Sequence, residues 1–242
     1  MKTICSLVTK APRLAPVCLL ALIIGGATIV HAQSQKRERG QLAINFLTVV
    51  PRGEFSENIT NNGYGMSLQG LARIGSTPVL IGGDFGFVVY GSESHRELIG
   101  TPLVDFQVRV RTSNVILLPH FVVRAQPRTG LVRPYVDGLI GLKYLYTETS
   151  IKDEDTDETI ESDTNLSDTS FSYGVGGGLQ IPFTKNHETH VVFDVGVRYL
   201  RGGRAEYLRK GSIREVNGSV VYDVFSSRTD VLAVQVGVTF RF

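Results

Sequence analysis

The stretch from Thr229 to Phe242, TDVLAVQVGVTFRF, alternates in hydrophobicity along almost its whole length. Leu232, Val234, Val236, Val238, Phe240 and Phe242 fall on one face of a strand, and Ala233, Gln235, Gly237, Thr239 and Arg241 fall on the other. Successive side chains of a strand point to opposite sides, so a period of two leaves a helix out of account. Two environments remain. Either the strand belongs to a sandwich with one wet face, or it crosses a bilayer with its apolar side in lipid and its small and polar side in an enclosed interior.

The rest of the chain favours the second. Seven further segments, near 41–50, 63–74, 79–90, 114–126, 133–147, 170–182 and 189–201, reach the about 9 to 11 residues that a tilted membrane strand needs. Their connections alternate in length. Gly75 to Pro78, Pro127 to Val132 and Thr184 to Glu188 are short, whereas 51–62, 91–113, 148–169 and 202–228 are long. This rhythm predicts an all-β, eight-stranded, antiparallel up-and-down barrel with short periplasmic turns and long, mobile outer loops. After Ala32 no run of 18 consecutive apolar residues offers a spanning helix. A closed barrel is the other way to cross a bilayer with every backbone polar group paired. Asn217-Gly218 between IREV and SVVY reads as a hairpin tip, so the last long loop is expected to be a protruding ribbon. A ten-stranded barrel is the alternative.

The first 32 residues read as a cleaved secretion signal. Lys2, Lys10 and Arg13 form a basic region, Leu14 to Val30 is uncharged and apolar, and Val30-His31-Ala32 supplies a cleavage site. Residues 33–40 are then a short periplasmic tail and 41–242 the barrel. Of 25 Lys and Arg, three leave with the signal, so 22 face 23 Asp and Glu. The basic balance of the precursor therefore says nothing of nucleic acid. Cys5 and Cys18 leave too, which excludes disulfides and thiolate metal sites from the mature chain.

In the register of these strands the interior receives Asn45, Gln69, Arg73, Asp84, His120, Arg124, Asp137, Lys143, Gln180, Asp194, Arg198, Gln235 and Arg241. Eight strands enclose just enough room for side chains to fill. Five cations against Asp84, Asp137 and Asp194 predict a packed ionic network, with Gly174, Gly176, Gly178 and Gly196 making room for charged neighbours. Outward aromatics cluster at strand ends. Tyr144, Tyr146, Phe171, Tyr173 and Tyr199 lie near the outer ends, and Phe183, Phe240 and Phe242 near the periplasmic end, as interfacial girdles do.

The runs VVPRGEF, GYGMSLQG, FVVYGSES, RPYVDGLIGLKYLYTE and VQVGVTFRF resemble the small outer-membrane protein β-barrel domain family, which groups with OmpX and the transmembrane domain of OmpA. The resemblance covers roughly 41–242. It implies a bacterial outer-membrane location, contact with outer-membrane lipids and lipopolysaccharide, and insertion by the barrel assembly machinery. Phe240 and Phe242 are then the assembly signal. The peptidoglycan-binding domain that follows the barrel in OmpA has no counterpart here, so tethering to the cell wall is not implied.

Local motifs add little chemistry. Between Glu148 and Asp168 nine acids face Lys152, and Asp153, Asp155 and Asp157 occupy the first positions of a calcium loop, with Glu158 and Glu161 adding carboxylates. Glu158 then stands where the turn glycine belongs and Thr164 where the bidentate Glu belongs, so a solvated loop is expected. The following loop is basic, with Arg201, Arg204, Arg209, Lys210 and Arg214 against Glu206 and Glu215. His187 and His190 are three apart in a turn, unlike the four-residue helical spacing of a zincin. No cofactor, metal or catalytic group is expected. The chain reads as a non-enzymatic surface, structural or adhesion-type barrel whose outer loops meet an extracellular ligand. Its alternative is a narrow channel for ions or small amphipathic solutes.

Overall fold

The computed structural model describes residues 38–101, 104–153, 159–183, 191–209, 211–216 and 219–242. In chain order these form β1 (Gly40–Pro51), helix α1 (Glu54–Asn58), β2 (Gly63–Arg73), β3 (Val79–Thr101), β4 (Val104–Ala125), β5 (Arg133–Asp153), β6 (Thr159–Pro182) and β7 (Val191–Gly202). Four short strands follow, β8 (Arg204–Tyr207), β9 (Ile213–Val216), β10 (Ser219–Tyr222) and β11 (Phe225–Arg228), and then β12 (Val231–Arg241). Antiparallel pairing runs from β1 through β7 to β12, and β12 pairs back onto β1 from Gln41 opposite Arg241 to Pro51 opposite Val231. The result is a closed eight-stranded barrel without edges.

Alternation decides which side chain goes where. Ile44, Phe46, Met66, Leu68, Phe85, Phe87, Phe121, Ile140, Val175, Val195, Val197, Val234 and Val236 lie exposed on the outer wall. Their neighbours Asn45, Ser67, Gln69, Asp84, His120, Asp137, Asp194 and Gln235 are buried inside. A continuous apolar belt around a polar interior inverts the pattern of a water-soluble protein and fits a lipid surround.

One rim is made of tight turns. Between β2 and β3 the Ile74 N–H donates to Val79 O and the Thr77 N–H donates to Ile74 O, both at 3.0 Å, and Gly75 takes the left-handed conformation at φ 52°. Gly130, φ 120°, serves the β4–β5 turn. Both ends of the barrel meet at this rim, where the Gly40 and Phe242 N–H groups each donate to the other's carbonyl. Residues 184–190 of the third turn lie outside the described residues.

The opposite rim differs from the sequence expectation. Segments 91–113 and 148–169 are strand rather than loop for most of their length, because β3 to β6 run for 23, 22, 21 and 24 residues. Crossing needs about half of that. Ladder pairing continues into β-rich polar sequence, for instance through Thr112 and Thr149, whose hydroxyls lie 3.0 Å apart across β4 and β5. Residues 148–169 carry no apolar period, whereas Val104, Phe106, Val108 and Val110 alternate with Asp105, Gln107, Arg109 and Arg111, a strand signal that the loop expectation passed over.

The last long connection does form a ribbon. β8 pairs with β11 and β9 with β10, as two small sheets separate from the barrel, which leaves the barrel at eight strands rather than ten. Its tip, 217–218, is outside the described residues. Helix α1 has no counterpart in the sequence expectation. Phe55 on α1 is fully buried, edge-on to Tyr207 of β8 at 5.0 Å and 6.0 Å from Tyr90 of β3. Tyr207 shares its hydroxyl with Asn58 at 3.0 Å and Ser227 at 2.7 Å. α1 and the ribbon therefore pack as a cap.

Candidate functional site: the filled lumen and its cap

At the centre of the lumen Arg124, on β4, donates from Nε and Nη2 to Asp137 Oδ1 and Oδ2 at 2.7 and 2.9 Å. These residues are paired in register across β4 and β5. The guanidinium also lies 3.7 Å from the centroid of the Tyr135 ring, and the Tyr135 hydroxyl donates to Asp194 at 2.6 Å. Arg198, on β7, donates to Asp84 at 2.8 Å and reaches within 3.8 Å of Asp137. Two cations thus alternate with three carboxylates, all of them buried. Charges removed from water this far persist only when paired and hydrogen-bonded.

The network continues to the periplasmic mouth through amides. Gln180 donates to Asp194 at 3.0 Å and to Gln41 at 3.2 Å, and its carbonyl accepts from both Arg241 Nε and Nη2 at 3.2 and 2.9 Å. Gln41 in turn donates to Glu38 and to Gln126, each at 2.6 Å. Glu38 pairs with Arg133, and with Arg73 at 3.5 Å. Burial pushes the Glu38 carboxyl up, but the Gln41 hydrogen bond and the charges of Arg133 and Arg73 outweigh it and hold the group below the ordinary carboxylate range.

Arg73, Asp84, Arg124, Asp137, Asp194, Arg198 and Arg241 are therefore linked in one chain of contacts. Lys143 and His120 are inside the lumen but outside that chain. Lys143 donates to the backbone carbonyls of Leu200, at 3.2 Å, and Thr229. His120 Nδ1 is 3.2 Å from Leu118 O and its Nε2 is 2.9 Å from Ser172 Oγ. A carbonyl only accepts, so Nδ1 carries the proton and Ser172 donates to Nε2. The carboxylate nearest in register, Asp84, is engaged by Arg198 and Gln69 instead.

Sequence reasoning missed several members. Arg133 and Tyr135 share the odd-numbered face of β5 with Asp137, so the same period held the signal for both. Glu38 precedes β1 and carries no period. The lumen glycines make room for more than charge: a Cβ at Gly196 would stand 2.5 Å from the Tyr135 hydroxyl and one at Gly176 would stand 2.7 Å from Arg198 Cγ. Apolar residues also fill the interior, among them Leu47, Leu80, Val88, Ile116, Leu118 and Leu145, which join the cap residues Phe55 and Tyr207 in one cluster.

Phe240 and Phe242 sit exposed on the outer wall at the turn rim, and Phe242 lies against Gly40. Asp153 and Glu161 are on the paired strands β5 and β6, while Asp155, Asp157, Glu158, His187 and His190 lie outside the described residues. Among the described residues no group of three or more His, Cys, Asp or Glu is placed to hold a metal ion. At the edge of the cap a cavity of about 320 Å³ is lined by Glu57, Asn58, Asn61, Tyr90, Arg209 and Asp223.

A closed eight-stranded barrel, an apolar outer belt, a polar filled interior and one short and one long rim define an outer-membrane β-barrel protein. The sequence resemblance to small outer-membrane barrels holds at this level of architecture. Among solved structures the chain is similar to neisserial surface protein A, at 16% identity and a TM-score of 0.39, over 86% of this chain and 98% of that one. It is also similar to a major outer membrane protein from Thermus thermophilus (14%, 0.38, over 84% and 99%) and to the Yersinia pestis outer membrane protein Ail (20%, 0.31, over 84% and 99%). No family model and no curated protein matches the sequence.

Proposed function

We propose that this protein is a sealed, non-enzymatic outer-membrane barrel that acts at the surface, through a structured outer platform that meets glycolipid, other cells or an extracellular ligand. The continuous chain of lumen contacts from Glu38 to Asp84 carries this reading, because it leaves the interior occupied by paired side chains. The cap over Phe55 and Tyr207 supports it independently, and its cavity offers the platform a polar recess. Ser172 is fully buried and hydrogen-bonded to His120, which favours a structural role for the pair. Phe240 and Phe242 are assigned as the assembly signal read by the insertion machinery.

One feature favours a narrow channel instead. A groove of about 830 Å³ on the lipid wall, at Gly70, Gly82, Gly83, Pro119 and Gly141, includes Asp84 and His120 in its lining. β4–β5 pairing skips Leu118 and Pro119 there, since proline has no N–H to give. Planar-bilayer recording of the folded chain decides between the two. A folded, heat-modifiable barrel that stays electrically silent is the expected result. Steady discrete steps overturn the sealed reading and point to this groove.

A further inference from the structure

At the periplasmic mouth three arginines gather around one carboxylate. Arg133 pairs directly with Glu38, and Arg73 Nη2 lies 3.5 Å from Glu38 Oε1. Arg241 stands across the β1–β12 ladder from Gln41, whose side-chain amide donates to Glu38. Arg241 also donates to Gln180, which is itself opposite Arg133 across β5 and β6. β2, β5 and β12 thus each bring one guanidinium to the same mouth. The other carboxylate near Arg241 is Asp194, which already accepts from Tyr135, Gln180 and Thr239.

Hydrogen bonding is as unbalanced here as charge. Arg73 Nε and Nη2, Arg133 Nε and Gln126 Nε2 are buried and have no hydrogen-bond partner among the described residues. The approach of Arg73 Nη2 to Glu38 is therefore an ion pair without a formed hydrogen bond. Gln126 is held from its other end, where its carbonyl accepts from Gln41 at 2.6 Å. All four unpaired atoms are donors. The unpaired acceptors Asn45 Oδ1 and Gln235 Oε1 belong to residues further in along β1 and β12. A buried donor without an acceptor is costly, and a buried guanidinium more so, which makes this mouth a place where added negative charge is stabilised.

We infer that the periplasmic mouth is an oxyanion site, in which Arg73, Arg133 and Gln126, with Arg241 beside them, take a phosphate group and Glu38 is the competing internal occupant. Chemistry selects the ligand. Guanidinium forks match the several oxygens of a phosphate, whereas chloride offers a single centre. Place selects its source. Gln41, Gln126, Arg133 and Arg241 are buried on the lumen side, while Phe240 and Phe242 flank Arg241 on the outer wall. The ligand is therefore a soluble phosphate or phosphomonoester arriving from the periplasm, not a phospholipid headgroup. Glu38 precedes the first backbone bonds of the barrel, those of Arg39 with Phe242 and Arg73, so it can withdraw without breaking a ladder. The inference holds for a sealed and for a conducting barrel alike.

The test is calorimetric titration of the full chain, in a phosphate-free detergent and checked for heat-modifiable migration, with sodium phosphate. Sodium chloride at equal ionic strength is the reference. Saturable binding of phosphate and none of chloride is expected. Glu38→Gln, which removes the competing charge and keeps the size, should bind phosphate about tenfold more tightly, and Arg73→Ala/Arg133→Ala about tenfold more weakly. Arg204→Ala, on the opposite rim, should match the native chain. Phosphate heats no larger than those of chloride in both the native chain and Glu38→Gln overturn the inference, whether or not the arginine variant folds. Unchanged or weaker binding by Glu38→Gln overturns the role of Glu38 as competitor. An anionic phospholipid added to the micelles should leave phosphate affinity unchanged, and competition by it overturns the soluble source.

Discussion

Asp137 receives both Arg124 hydrogen bonds while a second guanidinium, from Arg198, stands 3.8 Å away. Neutralising it leaves the buried Arg124 guanidinium with only the more distant Asp194 carboxylate, 3.9 Å away, while Arg198 keeps its bond to Asp84. Asp137→Asn should therefore cost about 3–5 kcal/mol, the usual consequence of removing one partner from a buried pair, measured by urea titration of the folded band in vesicles. A cost below about 1 kcal/mol would mean that the lumen is wetter than the contacts imply. Glu38 gives a pH dependence of definite sign. Its carboxyl is held lower in the folded barrel than in the unfolded chain, so its contribution is complete above the unfolded value and disappears as pH falls through the folded one. Urea titrations at falling pH should show a loss of stability in that acidic window, and Glu38→Gln should remove that component. A pH response identical in the variant assigns the effect to other carboxylates.

At the scale of the strand, adjacent residues of β7 answer to different surroundings. Val195 faces outward, whereas Gly196 faces Tyr135, Gln235 and the backbone of Gly177. Val195→Arg should cost about 2–4 kcal/mol if the site is near the middle of the bilayer. Gly196→Ser should also destabilise, by about 1–3 kcal/mol, because the added atoms displace Tyr135 from Asp194. The two are separable in a double variant. Tyr135→Phe should relieve part of the Gly196→Ser penalty and none of the Val195→Arg penalty, and relief of both would discredit this placement of the two faces.

For the whole molecule, the cap and the barrel are stabilised by different means. The barrel has a closed ladder and an ionic interior, whereas the cap relies on Phe55, Tyr90 and Tyr207 and on short two-stranded pairings. Phe55→Ala should expose the 203–230 connection to limited proteolysis while the trimmed barrel keeps its heat-modifiable migration. Simultaneous loss of both would mean that the cap is part of the barrel's own cooperative unit.

Barrel closure, strand number and facing were legible in the sequence because all three follow from a period of two repeated at membrane length. Asp84, Arg124, Asp137, Asp194 and Arg198 could be placed inside on that basis alone. Which of them meet could not, since partners such as Arg198 and Asp84 lie 114 positions apart and are brought together by barrel stagger. The same limit hid the cap: the contact of Phe55 with Tyr207 joins a five-residue helix to a four-residue strand, each too short to carry a period. Local alternation thus determined the wall and the side each residue takes, while tertiary closure decided what fills the wall and what covers it, because those contacts join residues far apart in sequence.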